Sequence, residues 1–324
     1  MGLFDEQIAR KPNRYPWTQD FINAMWEGHW TANEFSFKSD VHDFKTILTP
    51  QECEIIVRTL SAIGQIEVAV KTFWARLGDN LRHPGFTDLG YVMANSEVIH
   101  GHAYEKLLTV LGIEEVFQKN LEVDVIQGRV AYLKKYLEKV YQDDRKQYVY
   151  ALTLFTLFIE NVSLFSQFYI IMWFGRFKNV LKDANQQVMY TRAEEDLHSK
   201  IGTKIINTIR LEQPYLFDSE LSDKVIHEAH NAYSCEEKVL DWILGDYVGE
   251  RISAKVIKSY IKYKINSSLN GIGYQSIFYI DKDDYRDFEW FVEESMGEFT
   301  TDFFHRKPTG YAKGNKSYTE EDLF

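Results

Sequence analysis

The chain has 324 residues, 45% of them apolar, and a net charge of −11. It can bury a sizeable core as one large domain or two ordinary ones. The acidic balance, with no Lys- or Arg-rich run, argues against nucleic acid or an anionic membrane surface as a partner, and two cysteines, Cys53 and Cys235, exclude a disulfide scaffold or a cysteine-based zinc site.

The opening stretch MGLFDEQIARKPNRYPW has no apolar core after a basic start, and Glu6 stands where a myristoylation signal needs Ser or Thr. The expectation is a cytoplasmic protein. Aromatic residues reach 15% while proline numbers only 6, a balance suited to long helices with bulky cores. The first clear helix starts at TPQE, with Thr49 as N-cap, Pro50 at the first helical position and Glu52 closing a capping box. Its apolar stripe runs through Ile56, Leu60, Ile63, Val70 and Trp74, with Glu67 inside it.

A second helix is predicted over about 86–111, stopping at Gly112, and a third over about 121–142. In the second, Glu97, His100 and Tyr104 share one face, because steps of three and seven residues nearly close whole turns. From Tyr148 to Phe174 the only charged residue is Glu160. That length could span a bilayer, but Glu160, Asn161, Ser163, Ser166 and Gln167 cluster at its middle, so it reads as a buried central helix. Further helices are predicted over about 184–211, 219–245 and 251–269, with the helical period fading from NGIGYQ onward. The expected architecture is one all-α domain over 1–304 and a flexible tail over 305–324.

Glu-x-x-His occurs twice, as Glu97/His100 and Glu195/His198, each within a long helix that sets the two side chains on one face. Alone, such a pair is common on solvated faces, and an isolated Glu in an apolar stripe is often paired with Lys. Together with Glu67 and Glu160 they give four carboxylates and two imidazoles from four helices, the ligand set of a dinuclear carboxylate site in a ferritin-like bundle. Four buried carboxylates repel one another and are costly to desolvate, whereas two divalent cations bring +4 against −4. Oxygen-rich ligation with imidazole suits manganese or iron.

In this order the residues resemble the small, radical-generating subunit of class I ribonucleotide reductase, from about Trp30 to the last residue. The resemblance implies metal ligation by Glu67, Glu97, His100, Glu160, Glu195 and His198. It implies an electron route through Trp30 and Glu194 to Tyr311 in the tail, with Tyr318 as a rival carrier. It also implies a homodimer, and a tail ending in TEEDLF that docks on a large catalytic subunit, in which a cysteine is oxidised to start ribonucleotide reduction for deoxyribonucleotide synthesis. Tyr104 stands where that family carries its radical tyrosine.

Three positions depart from the commonest pattern. Glu67 replaces the usual Asp while Tyr104 is kept, a combination similar to the class Id subunits, whose superoxide-activated dimanganese centre is itself the oxidant. Two iron ions are the alternative. On that likeness Tyr104 is either a radical carrier or a tyrosine packed beside the metals. Glu194 replaces an Asp, and Lys71, one turn after Glu67, is a candidate for assisting entry or protonation of a reduced oxygen species. The rival readings are a stand-alone dimetal oxidase or oxygenase such as the ligand-binding oxidases, metal storage, and a bundle whose acids are merely paired.

Overall fold

The computed structural model describes residues 2–137 and 144–300, without the side chains of 65, 67–69, 133, 135–137 and 295–300. The chain enters through α1 (Trp17–Glu27), a 3-10 turn at Ala32–Glu34 and α2 (Lys38–Thr46). The long α3 (Pro50–Ala75) follows, then the single turn α4 (Leu77–Asn80). At the start of α3 the capping box is complete: Thr49 Oγ1 accepts from the Glu52 N–H at 3.3 Å, and Glu52 Oε2 accepts from the Thr49 N–H at 3.0 Å.

The next helix, α5 (Pro84–Leu111), starts with Pro84 in its first turn and the Nδ1 of His83 accepting from the Gly85 N–H at 3.0 Å. It stops where expected, at Gly112 with φ of +70°. The helix predicted over 121–142 differs. It is two helices, α6 (Glu114–Leu121) and α7 (Asp124–Leu137), broken at Glu122 and Val123, and 138–143 lie outside the described residues.

The apolar segment is not one continuous helix either. It comprises α8 (Arg145–Leu154), a π-helical turn at Phe155–Glu160, a turn over 161–164, α9 (Phe165–Trp173) and a second π-helical turn at Phe174–Lys178. The Ser163 N–H reaches back five residues to the Phe158 carbonyl at 3.1 Å, and the Ser163 hydroxyl donates to the same oxygen at 2.9 Å. Arg129, buried on α7, donates to the Ser163 carbonyl and, at 3.0 Å, to that of Ala62 on α3. Side chains thus answer a carbonyl at the break. By length and composition the helical segment Arg145–Lys178 could cross a membrane, but 94% of its apolar window is buried, as a core helix requires.

The remaining elements are α10 (Lys182–Glu212), α11 (Ser219–Leu244), a two-residue antiparallel hairpin of β1 (Val248–Gly249) and β2 (Ile252–Ser253), α12 (Ala254–Gly271) and α13 (Lys282–Thr300). In α13 lies a third correction, since the helical period was expected to fade after about residue 270. Its Phe288 and Phe291 pack on Tyr260 of α12, ring centroids 5.6 and 5.2 Å apart.

An all-α bundle results, with α3, α5, α8–α9 and α10 around one core. Two glycines permit its closest approaches. A Cβ at Gly90 would stand 2.4 Å from the Trp74 carbonyl oxygen, so α5 meets α3 almost backbone to backbone, and one at Gly202 would stand 2.3 Å from the Thr156 hydroxyl, so α10 takes a side chain of the π-helical turn directly against its backbone.

Candidate metal centre

Those close approaches bring Glu97 and His100 of α5, Glu160 at the end of the π-helical turn, and Glu195 and His198 of α10 to one point in the core. None of the five is more than 1% exposed. The Nδ1 of His100 lies 3.3 Å from Glu97 Oε2 and 3.2 Å from Glu195 Oε1. The Nδ1 of His198 lies 2.9 Å from Glu97 Oε1, 3.4 Å from Glu160 Oε2 and 3.6 Å from Glu195 Oε2. Glu97 and Glu195 therefore each offer one oxygen to either imidazole, and Glu160 serves the His198 side alone.

The outward nitrogens are held by other groups. His100 Nε2 bonds Glu194 Oε2 at 2.7 Å, and His198 Nε2 meets Ser96 Oγ at 3.0 Å. Because the Ser96 hydroxyl donates to the Met93 carbonyl at 2.7 Å, its oxygen accepts the His198 Nε2 proton. A proton fixed on Nε2 leaves the inward Nδ1 as a lone pair, the arrangement of metal-binding imidazoles.

Without a cation this grouping is electrostatically expensive. Burial, together with the charges of Glu195 and Glu97, pushes the Glu160 carboxyl well above the usual range. For Glu195, burial is outweighed by His100 and His198, which hold its carboxyl well below it. His198 is raised well above an ordinary imidazole, against its burial, by Glu160, Glu195 and Glu97. A proton here does a cation's work. Glu97 Oε1 and Oε2, Glu160 Oε2, Glu195 Oε1 and His198 Nδ1 make no well-formed hydrogen bond among the described residues, though all are fully buried. Donor atoms of Glu97, Glu160, Glu195 and His198 lie within 4.8 Å of one another, so they fit a metal ion. The His100 face, with one oxygen each from Glu97 and Glu195, fits a second.

The side chain of Glu67 lies outside the described residues; its backbone belongs to α3. Tyr104, one turn beyond His100, is buried at 1% exposure, and Lys71 is half-buried on α3. Trp30 is buried beside α5 and α10, its Nε1–H donating to Glu194 Oε2 at 2.8 Å and its ring lying 6.1 Å from that of His100 at 25°. Tyr311 and Tyr318 lie outside the described residues.

Two neighbours of the centre were not singled out from the sequence. Trp74 donates from Nε1 to Glu160 Oε1 at 2.9 Å, and Ser96 orients His198. Trp74 had a signal, standing two helical turns after Glu67. Ser96 had none beyond adjacency to Glu97.

A family model described as ribonucleotide reductase, small chain, matches residues 7–285. A probable ribonucleoside-diphosphate reductase small subunit of Invertebrate iridescent virus 3 is 24% identical over 328 residues, spanning 97% of this chain and 86% of the viral one. Among solved structures, a ribonucleotide reductase R2 subunit from Clostridium botulinum superposes with a TM-score of 0.81 at 18% identity, over 91% of this chain and 94% of that one. A Streptococcus sanguinis dimanganese(II)-NrdF does so with a TM-score of 0.74 at 14% identity, over 87% and 96%. The bundle has the ferritin-like fold of these proteins.

Proposed function

The chain belongs to the ribonucleotide reductase small-chain family, and from that premise we propose that it is the radical-initiating subunit of a ribonucleoside-diphosphate reductase, acting on a separate catalytic subunit. The observation that carries this reading is the bonded line from the metal-binding pocket to Trp30: His100 and Trp30 both bond Glu194 Oε2. A pocket for a stand-alone oxidation needs no such outlet.

In this reading Glu97, His100, Glu160, Glu195 and His198, together with Glu67, would hold two metal ions. We favour two manganese ions, as in class Id, on the pairing of Glu67 with Tyr104 and the fold shared with a dimanganese protein. When bound and oxidised, the pair supplies a one-electron oxidant. The residues around it do the rest. Ser96 and Glu194 fix the imidazole tautomers, and Glu194 holds the Trp30 indole N–H so that an electron can leave the ring without a stray proton. Residues 305–324 dock on the catalytic subunit, with Tyr311 as the tail carrier and Tyr318 the alternative. Tyr104 is a packed neighbour of the centre, and Lys71 assists proton delivery during activation. We further propose a homodimer working in the cytoplasm.

The test joins metal quantification to low-temperature EPR, on full-length protein and on a chain ending at residue 304. A coupled manganese signal in both, with ribonucleotide reduction only in the full-length protein and only with the large subunit, is the expected outcome. Reduction by the shortened chain would refute the tail assignment, and a tyrosyl doublet would make Tyr104 the radical carrier.

A further inference from the structure

Trp30 is 1% exposed, so it cannot itself meet a partner protein. Among the described residues its ring contacts are His100, which faces the metal-binding pocket, Phe35 at 5.7 Å and Tyr190 at 5.8 Å. Phenylalanine is far harder to oxidise than tryptophan, whereas a phenol that can lose its proton lies close to indole in potential. Of these described ring neighbours, Tyr190 is the one on the outward side that can accept a hole from Trp30 and pass it on.

The placement supports that step. Tyr190 lies on α10 one turn before Glu194, so the residue that holds the Trp30 N–H and the ring beyond it share one helix face. Its ring is tilted 59° to Trp30, and Phe35 packs against both, 5.7 Å from each. Unlike Trp30, Tyr190 is only half-buried. Lys106 on α5, donating to the Ala32 and Phe35 carbonyls at 2.8 and 2.7 Å, pins the segment that follows Trp30 to α5. Asp183 reinforces this by accepting from the Ser36 N–H at 3.0 Å.

Resting on the function proposed above, we infer that Tyr190 is the relay that carries the hole from buried Trp30 to the protein surface. One electron passes from the Tyr190 phenol to Trp30 after Trp30 has been oxidised by the dinuclear metal centre. Trp30 regains its closed shell with its N–H still on Glu194, and the phenolic proton leaves to water at the half-exposed edge. Before the step the phenol is neutral, its pKa raised by burial and by the charge of Glu34 against a hydrogen bond with Gln186, so electron and proton leave together.

The test uses the metal-loaded holoenzyme with its large subunit and substrate. With 3-aminotyrosine at position 190, EPR should show an aminotyrosyl radical forming as the oxidised-metal signal falls, and none in the Trp30→Phe background. Tyr190→Phe should keep the metal content and oxidised-centre spectrum while turnover drops to background, and 2,3-difluorotyrosine at 190 should move the turnover pH profile toward acid. Wild-type turnover in Tyr190→Phe with no trapped radical would overturn the relay. If Trp30→Phe is inactive in that same experiment, the proposed function stands without it; if Trp30→Phe is fully active, both fall.

Discussion

Trp30 and His100 bind the same oxygen, Oε2 of Glu194, at 2.8 and 2.7 Å, and their rings lie nearly parallel 6.1 Å apart. One carboxylate atom accepts both protons, so its negative charge is shared between an indole and an imidazole that are otherwise only in van der Waals reach.

Glu194→Gln tests that sharing. A neutral amide accepts more weakly than a carboxylate, and its NH₂ cannot accept at all. Two metal ions per chain should still bind, since Glu194 is outside the inward donor set, while reduction supported by the large subunit should be lost. Metal analysis and turnover on one preparation decide the matter, and loss of metal would make Glu194 a structural support of the pocket instead.

Glu160→Gln separates the costs of the pocket with and without cations. Burial and the charges of Glu195 and Glu97 push the Glu160 carboxyl well above its usual range, so in the metal-free protein a neutral amide relieves a charge that the pocket disfavours. The melting temperature of the metal-free variant should stay near that of wild type. The gain on adding manganese, about 2.7 kcal/mol for wild type at a hundredfold excess over Kd, should shrink in the variant. A thermal melt with and without metal, reversed by chelator, measures both.

Arg129 and Glu236 form a fully buried ion pair, with Arg129 Nε 3.1 Å from Glu236 Oε1, and Arg129 also serves the carbonyls of Ala62 and Ser163. Arg129→Leu should cost about 3–5 kcal/mol by stranding the Glu236 charge. Adding Glu236→Leu should recover part of that loss, leaving the carbonyls as the remaining penalty. Urea denaturation of the single and double variants gives the comparison.

His83 should make the start of α5 sensitive to acid. Burial, with the nearby Arg14 charge, lowers its pKa below the ordinary imidazole value, and its Nδ1 must be unprotonated to accept from Gly85. The unfolded chain therefore binds more protons between the two pKa values. The contribution is whole above the unfolded value of about 6.5 and is lost as pH falls through the folded one. His83→Asn, a good N-cap without a titrating ring, should flatten the loss of stability between about pH 7 and 5, read from denaturation midpoints at each pH.

Much of this arrangement is legible in the sequence, for identifiable reasons. Glu97 with His100 and Glu195 with His198 sit three apart within long helices, so local geometry alone pairs them. The break after Glu160 was not legible, because it contains neither Gly nor Pro. It is specified by distant partners, Arg129 on α7 and Ser268 on α12, which bonds Asn161. The missed α13 did carry a signal: Tyr285, Phe288, Phe291 and Val292 keep helical spacing, and Asp281 accepts from the Asp283 N–H at 2.9 Å. Dense surface charge hid that stripe.

The two Glu-x-x-His pairs resemble mirror halves, each glutamate reaching both imidazoles, yet the halves are anchored differently. Behind His198 stands a neutral serine hydroxyl, and behind His100 a carboxylate. A carboxylate draws the Nε2 proton toward itself and enriches the opposite nitrogen as a donor, which a hydroxyl does only weakly. The pocket therefore has a front and a back: its electron-rich side faces Trp30, and in the function proposed above that is the side through which charge would be exchanged.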